Sequence, residues 1–164
     1  MFHSGVMSCV NSTSFVVLVN GSPTAFFKGS RGIRQGYPLS PYMFLLVIKG
    51  LGILLNNAKD EGLIKGIKVV GSISLSHTLF VDDVMIFGKG IYDEWLCIKG
   101  ITDLFCTTSG MSFSPLKSCF RHWNVEDEVL SNISHLFHIS SESLDIGIKY
   151  LGFYLKCNFY LRNY

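Results

Sequence analysis

Between Met1 and Lys59 this 164-residue chain has no aspartate and no glutamate. Lys28, Arg31, Arg34, Lys49 and Lys59 make its first third purely basic, and the remainder is mildly acidic, so the net charge is only +2. Such asymmetry suits contact with phosphate backbones. A few solvated basic side chains would account for it equally well. The chain also lacks a long apolar run. The longest, Tyr42 to Leu55, is interrupted by Lys49, and a spanning helix needs roughly 20 mostly apolar residues. No transmembrane helix is therefore expected, and no membrane partner. No basic segment followed by an apolar run opens the sequence, so no secretory signal is expected. An intracellular place, nucleus or cytoplasm, follows as the expectation. The five cysteines (Cys9, Cys97, Cys106, Cys119, Cys157) form no C-x-x-C pair and read as buried free thiols in a reducing compartment. Asn11-Ser-Thr and Asn132-Ile-Ser match the glycosylation pattern by chance, given no secretory signal. There is no repeat, linker or low-complexity tract.

What is present is apolar and charge-poor: 48% hydrophobic and 16% charged residues, the opposite of a disordered composition. The length suits one ordinary domain with a sizeable core. Phe15–Asn20 (FVVLVN) reads as a strand, Gly21-Ser-Pro as a turn and Thr24–Lys28 as a return strand. Gly29–Gly36 is glycine-rich. Ser40 as N-cap and Pro41 at the first helical position start a helix to about Asn57, apolar nearly all round. Short strands follow at 67–70 and 73–75. Leu79–Val81 and Val84–Phe87 read as two strands joined at Asp82-Asp83. Asp93 caps a helix that Gly110 ends. Phe113–Phe120 is loop and strand, Val125–Phe137 an amphipathic helix with acids in its first turn, and Lys149–Leu155 a last strand. Mixed strands and helices with hairpins give an α+β class.

The segment LFVDDVMIF, Leu79–Phe87, places two like charges inside the most strand-like stretch. Aspartates are common at turns, where their side chains bond to nearby backbone; that explains one of them. Two adjacent carboxylates between apolar strands repel and lose hydration, and a divalent cation would offset both terms.

FVDD with apolar flanks resembles the Y/F-x-D-D box of reverse transcriptases. GIRQGYPLSPYMF (Gly32–Phe44) resembles the family's R-Q-G-x-P-L-S-P-x-L-F motif. SGMSFSPLKS (Ser109–Ser118) is similar to the S-G-L-x-x-N-x-x-K-S segment, and KYLGFYL (Lys149–Leu155) to Y-L-G-x-x-L. Order and spacing match the RNA-directed DNA polymerases of non-LTR retrotransposons, long interspersed elements of the plant type, over nearly the whole chain. The resemblance implies that Asp82 and Asp83 are catalytic and hold Mg2+ or Mn2+. It places Arg34, Gln35 and Gly36 beside the incoming nucleotide and template base, Lys117 near the triphosphate, and Tyr150, Leu151 and Gly152 at the primer end. RNA template, DNA primer and deoxynucleoside triphosphates are the implied partners. Plainer readings stay open. Gly32 and Gly36 could form only a turn, Lys117 be an exposed strand lysine, and Tyr150 and Leu151 pack a core. The pair His135 and His138 reads as solvated or partly buried histidines rather than a metal site.

The resemblance also exposes departures. The family carries a third carboxylate, in a D-x-x-x-A-F/Y-D type segment upstream of the Gln-Gly motif, and no acid precedes Asp60. Met7–Gly21 looks like the stretch that follows that segment. Tyr37 stands where aspartate is common, and Ser114-Pro115 where asparagine is usual. The expected architecture for residues 1–164 is one partial reverse transcriptase domain. It would be a partial polymerase palm, an antiparallel sheet with packed helices, lacking the fingers and first palm strand. It would run from just after the first catalytic-Asp motif to the primer-grip-like segment. Such a fragment is expected to be catalytically incomplete and poorly soluble. A non-catalytic nucleic-acid-binding remnant is the alternative, and a membrane-associated protein built around Tyr42–Leu55 a third.

Overall fold

The computed structural model describes residues 2–11, 14–29, 32 and 36–155. They fall into two compact units, Met1–Leu46 and Val47–Tyr164.

The first unit holds helix α1 (Phe2–Asn11) and an interrupted hairpin. Its outer pair is β1 (Ser14–Phe15) with β4 (Phe27–Lys28), and its inner pair is β2 (Leu18–Val19) with β3 (Ser22–Pro23), both antiparallel. The Thr24 amide donates to the Val17 carbonyl between them (2.9 Å). The hairpin was expected, but its turn sits one residue earlier, at Asn20-Gly21, with φ of 51° and 82°. A two-residue hairpin loop twisted to match its strands needs positive φ at both positions, and Asn-Gly supplies that most readily. Pro23 consequently belongs to a strand edge, where its missing N–H does no harm.

Helix α2 (Ser40–Asp60) starts in the first unit and continues into the second. It begins at the expected Ser40-Pro41 and runs beyond Asn57 to Asp60, buries Ile48, Leu51, Gly52, Leu55 and Ala58, and closes on Lys59, a cation suited to a helix C-terminus. At 21 residues it is, among the described residues, the one helix long and apolar enough to cross a membrane. Leu51 and Leu55 of its second half are nevertheless fully buried, as are Ile64, Ile98 and Ile133 of the second unit.

After α2 come β5 (Ile67–Val70) and β6 (Ile73–Leu75), antiparallel, then β7 (His77–Phe80) and β8 (Asp83–Ile86), also antiparallel. Helix α3 (Tyr92–Ser109) ends on Gly110 in the left-handed conformation (φ 71°), as its sequence predicts. Ile91, not Asp93, is its N-cap residue, with no side-chain cap; Asp93 lies in the first turn. A 3-10 turn (Pro115–Lys117) leads to β9 (Cys119–His122). Helix α4 (Asp127–Phe137) then crosses to β10 (Ser140–Ser143), which runs parallel to β9. Last are β11 (Ile148–Tyr150) and β12 (Phe153–Leu155), a hairpin turning at Leu151-Gly152 (φ 50° and 87°) rather than the single strand expected over 149–155.

The α+β class is therefore present, but among the described residues the strands pair two by two and one pair is parallel, so no continuous antiparallel sheet forms. Cys97, Cys106 and Cys119 are free thiols, as expected. They are half-buried (Cys97, Cys106) or exposed (Cys119) rather than buried.

Two clusters hold the second unit. Trp95 meets the rings of Phe120 (4.8 Å) and Phe137 (6.1 Å) edge-on, an arrangement worth about 0.5–1.5 kcal/mol beyond burial. Its indole N–H donates to the Lys89 carbonyl (2.8 Å). Beside it, Glu94 is 3% exposed. One carboxylate oxygen accepts from the Lys65 and Gly66 amides (2.8 and 3.0 Å), and the other from the Lys89 amide (2.9 Å). A buried charge is tolerated only when hydrogen-bonded in this way. Glu94→Ala leaves three amides without their acceptor and is expected to destabilise the chain by about 3 kcal/mol or more. Glu94→Gln keeps the volume but turns a donor toward at least one amide, and should fall between. Urea denaturation followed by circular dichroism measures both.

Candidate functional site

The two aspartates sit at the end of a hairpin whose register is Phe80 opposite Asp83, Leu79 opposite Val84, Thr78 opposite Met85 and His77 opposite Ile86. The Phe87 amide donates to the Ser76 carbonyl (2.8 Å), extending the ladder at its open end. The loop is Val81-Asp82, not Asp82-Asp83, so Asp83 already belongs to β8. Both carboxylates are exposed. This corrects one expectation: at a tip in water the pair loses little hydration, and its mutual repulsion is screened. No buried-charge penalty needs an offset there.

The strain lies in the backbone instead. Val81 has φ of 52° and is 56% exposed. A β-branched residue in the left-handed region is an outlier that costs about 1–3 kcal/mol. Such strain persists where the surroundings over-determine it, and it clusters at functional sites.

The hairpin is anchored on α2 through Gly52. A Cβ there would lie 3.2 Å from Leu79 Cδ1 and 3.4 Å from His77 Nε2, so the glycine lets β7 approach the helix. Ser76 Oγ and His77 Nδ1 are 3.1 Å apart. Lys59 Nζ donates to the Ser74 carbonyl (2.6 Å). Burial and, second to it, the Lys59 cation hold the His77 imidazole below its ordinary pKa.

The other sequence-predicted residues stand on separate elements. Arg34 and Gln35 lie outside the described residues. Gly36 has φ of 79° and belongs to the turn before α2, where a left-handed residue favours glycine. Lys117 is exposed and closes the 3-10 turn, its amide donating to the Ser114 carbonyl (3.1 Å); it is not a strand residue. Tyr150 is half-buried, and its hydroxyl is buried with no hydrogen-bond partner among the described residues. Leu151 and Gly152 form the β11–β12 turn. No hydrogen bond or ion pair joins Asp82 or Asp83 to Lys117, Tyr150, Leu151 or Gly152 among the described residues. His135 and His138 are both exposed, with rings 6.1 Å apart. No group of three His, Cys, Asp or Glu side chains among the described residues could hold a metal ion. His77, Gly52 and Glu94 escaped sequence reasoning, because their partners lie far along the chain and no local pattern marks them.

A strained loop lifting two carboxylates off a hairpin seated on a long apolar helix, with a glycine turn before that helix, matches the order of the sequence motifs. The sequence model of the reverse transcriptase (RNA-dependent DNA polymerase) family matches residues 2–155, and the chain belongs to that family. Its members bind template, primer and deoxynucleoside triphosphates and generally use divalent metal ions. An uncharacterized mitochondrial protein of Arabidopsis thaliana is 43% identical over 67 residues, which is 40% of this chain and 55% of the relative. The chain thus spans about half the length of that curated relative.

Two measurements probe the hairpin. Val81→Gly removes the side-chain penalty at positive φ while adding unfolded-state entropy, so a net gain of up to about 1 kcal/mol is expected in chemical denaturation. For His77, the lowered folded pKa means that the unfolded chain takes up its proton first as pH falls. Stability should therefore drop as pH goes below about 6.5, the ordinary histidine value, and level off only below the folded pKa. His77→Gln should flatten that slope in denaturation midpoints measured between neutral and mildly acidic pH.

Proposed function

We propose that this chain is part of a reverse transcriptase of a plant non-LTR retrotransposon, descended from an enzyme that copies RNA into DNA by nucleotidyl transfer. The observation that carries this reading is the aspartate pair on an exposed, strained hairpin tip, following in the sequence the Gly36 turn and the long helix. Residues 1–164 are read as one partial domain of palm type. Asp82 and Asp83 are the catalytic carboxylates. Arg34 offers a phosphate fork, Gln35 an amide for hydrogen bonds, and Gly36 room for close backbone approach. Lys117 sits near the triphosphate, where a cation offsets developing negative charge. Tyr150, Leu151 and Gly152 support the primer end.

The residues fit the family's metal ions only in part. Mg2+ and Mn2+ take oxygen ligands, and two adjacent exposed carboxylates supply them. Two-ion nucleotidyl transfer clamps both the attacking and the leaving oxygen. With no third metal-binding side chain beside the pair among the described residues, the hairpin offers ligands for a single, weakly held cation. By this reading the 164 residues do not polymerise by themselves. The acid-free stretch before Asp60 favours a second reading, a remnant that binds nucleic acid without copying it.

Calorimetry of Mn2+ binding is expected to show one weak site that disappears in Asp82→Asn/Asp83→Asn. Primer extension on primed poly(rA) should give no product. Incorporation abolished by the same double substitution would overturn the inactivity, and metal binding indifferent to both aspartates would overturn the site.

A further inference from the structure

The second unit carries a pocket of about 340 Å3 whose wall contains Lys59, Lys65, Lys68 and Lys89 together with Ser72 and Ser74, and, among the described residues, no Asp or Glu. It lies beyond the open end of the aspartate hairpin. His77 pairs with Ile86 there and Phe87 with Ser76, whereas Asp82 and Asp83 occupy the opposite end. Ser74 lies two residues before Ser76, and Lys89 two after Phe87. Three separate stretches of chain converge on this pocket: Glu94 accepts from the Lys65, Gly66 and Lys89 amides, which joins two of them, and Lys59 Nζ donates to the Ser74 carbonyl, which joins the third. Gly66 makes the convergence possible: at φ of 63°, a Cβ there would fall 2.3 Å from the Leu75 carbonyl oxygen.

The charge is not neutralised by carboxylate partners. Among the described residues the ion pairs are Lys99 with Asp103 and Arg121 with Glu142, so none of the four pocket lysines has one. Lys59 spends one donor on the Ser74 carbonyl; Lys65, Lys68 and Lys89 are exposed. Solvated lysines scattered over a convex surface would need no explanation. Four in one concavity without an acid in its wall repel one another and focus a positive field into the cleft. Serine hydroxyls add neutral donors of the kind that meet phosphate oxygens.

We propose that this pocket binds successive phosphodiesters of a nucleic-acid strand, at a site separate from the aspartate hairpin tip. The choice of a nucleic-acid strand over free phosphate or a lipid headgroup rests on reading the chain as a reverse transcriptase. The pocket then serves as a backbone-holding surface that carries no sequence preference.

The test uses the full chain and a fluorescein-labelled single-stranded RNA, followed by anisotropy from about 50 to about 200 mM salt. Lys65→Gln/Lys68→Gln/Lys89→Gln is expected to weaken binding at low salt at least tenfold and to flatten the log–log salt slope by about 2, at about 0.7 per phosphate contact. The matching arginine triple variant should retain both. Lys99→Gln, at a lysine paired with Asp103 outside the pocket, should bind RNA as the parent does. Should the glutamine variant not fold, acetylation of the parent chain decides: RNA is expected to protect Lys65, Lys68 and Lys89 but not Lys99. An unchanged slope, or absent protection, overturns the pocket while leaving the aspartate assignment standing. Inorganic phosphate competing as well as RNA at equal phosphate concentration, or phosphatidylserine vesicles binding more tightly than RNA, overturns the nucleic-acid assignment. No RNA binding by the parent chain at low salt overturns both this site and the nucleic-acid reading of the chain.

Discussion

The second unit depends on one buried carboxylate. Glu94 lies in the first turn of α3, yet its three amide donors come from the entry to β5 and the exit of β8. That geometry ties the connection after α2, the end of the aspartate hairpin and the start of α3 to a single point. Glu94 sits in the first turn of its helix, where acidic side chains are favoured. Its neighbour Trp95 takes the Lys89 carbonyl, so that one residue has both its amide and its carbonyl fixed by consecutive side chains of α3. A Cβ at Gly88 would lie 3.1 Å from the Trp95 ring, and the glycine lets the chain pass there. The orientation of the hairpin on α2 follows from this clamp at its base and from the Gly52 contact along its length.

Elsewhere the chain leaves much apolar surface open. Leu18, Phe26, Leu116 and Phe153 are at least two-thirds exposed. Val47, Ile53, Leu54 and Phe105 line an open groove of about 520 Å3 between α2 and α3. Each strand pair has unpaired edges among the described residues. Open edges and apolar grooves invite pairing with other chains. The expectation of poor solubility thus has a physical basis in edges and faces, whatever the catalytic state of the hairpin.

What was legible in the sequence follows from the range of each interaction. The α2 start at Ser40-Pro41 and the Gly110 stop of α3 are local signals, and they hold within a residue. The hairpin at Phe15–Lys28 and the aspartate hairpin were visible from alternation and composition. Their loops were misplaced by one residue because the backbone, not the side chain, chooses the corner: Asn20-Gly21 wins over Gly21-Ser-Pro, and Val81 takes a positive φ that no propensity would assign. Strand β10, Ser-Ser-Glu-Ser, has no β-forming residue to announce it. It exists because α4 returns the chain beside β9, with Glu142 paired to Arg121. The aspartate pair stood out as a candidate site through motif order alone, and its exposure did not, since apolar flanks suggest burial in a single sequence.

The charge arrangement along β7 and β8 carries the last step. One end of this hairpin bears two exposed carboxylates and the other opens onto four lysines, and Glu94 ties the lysine-bearing segments together through their backbone amides. Had the lysines been placed at the tip, they would have neutralised Asp82 and Asp83 directly. The four paired residues of each strand, at about 3.3 Å per residue, put the two ends more than a Debye length apart at physiological salt. The proposed cation site and the proposed phosphate site therefore do not screen one another on the same hairpin. Both are held at a fixed spacing by the Glu94 clamp and the Gly52 contact.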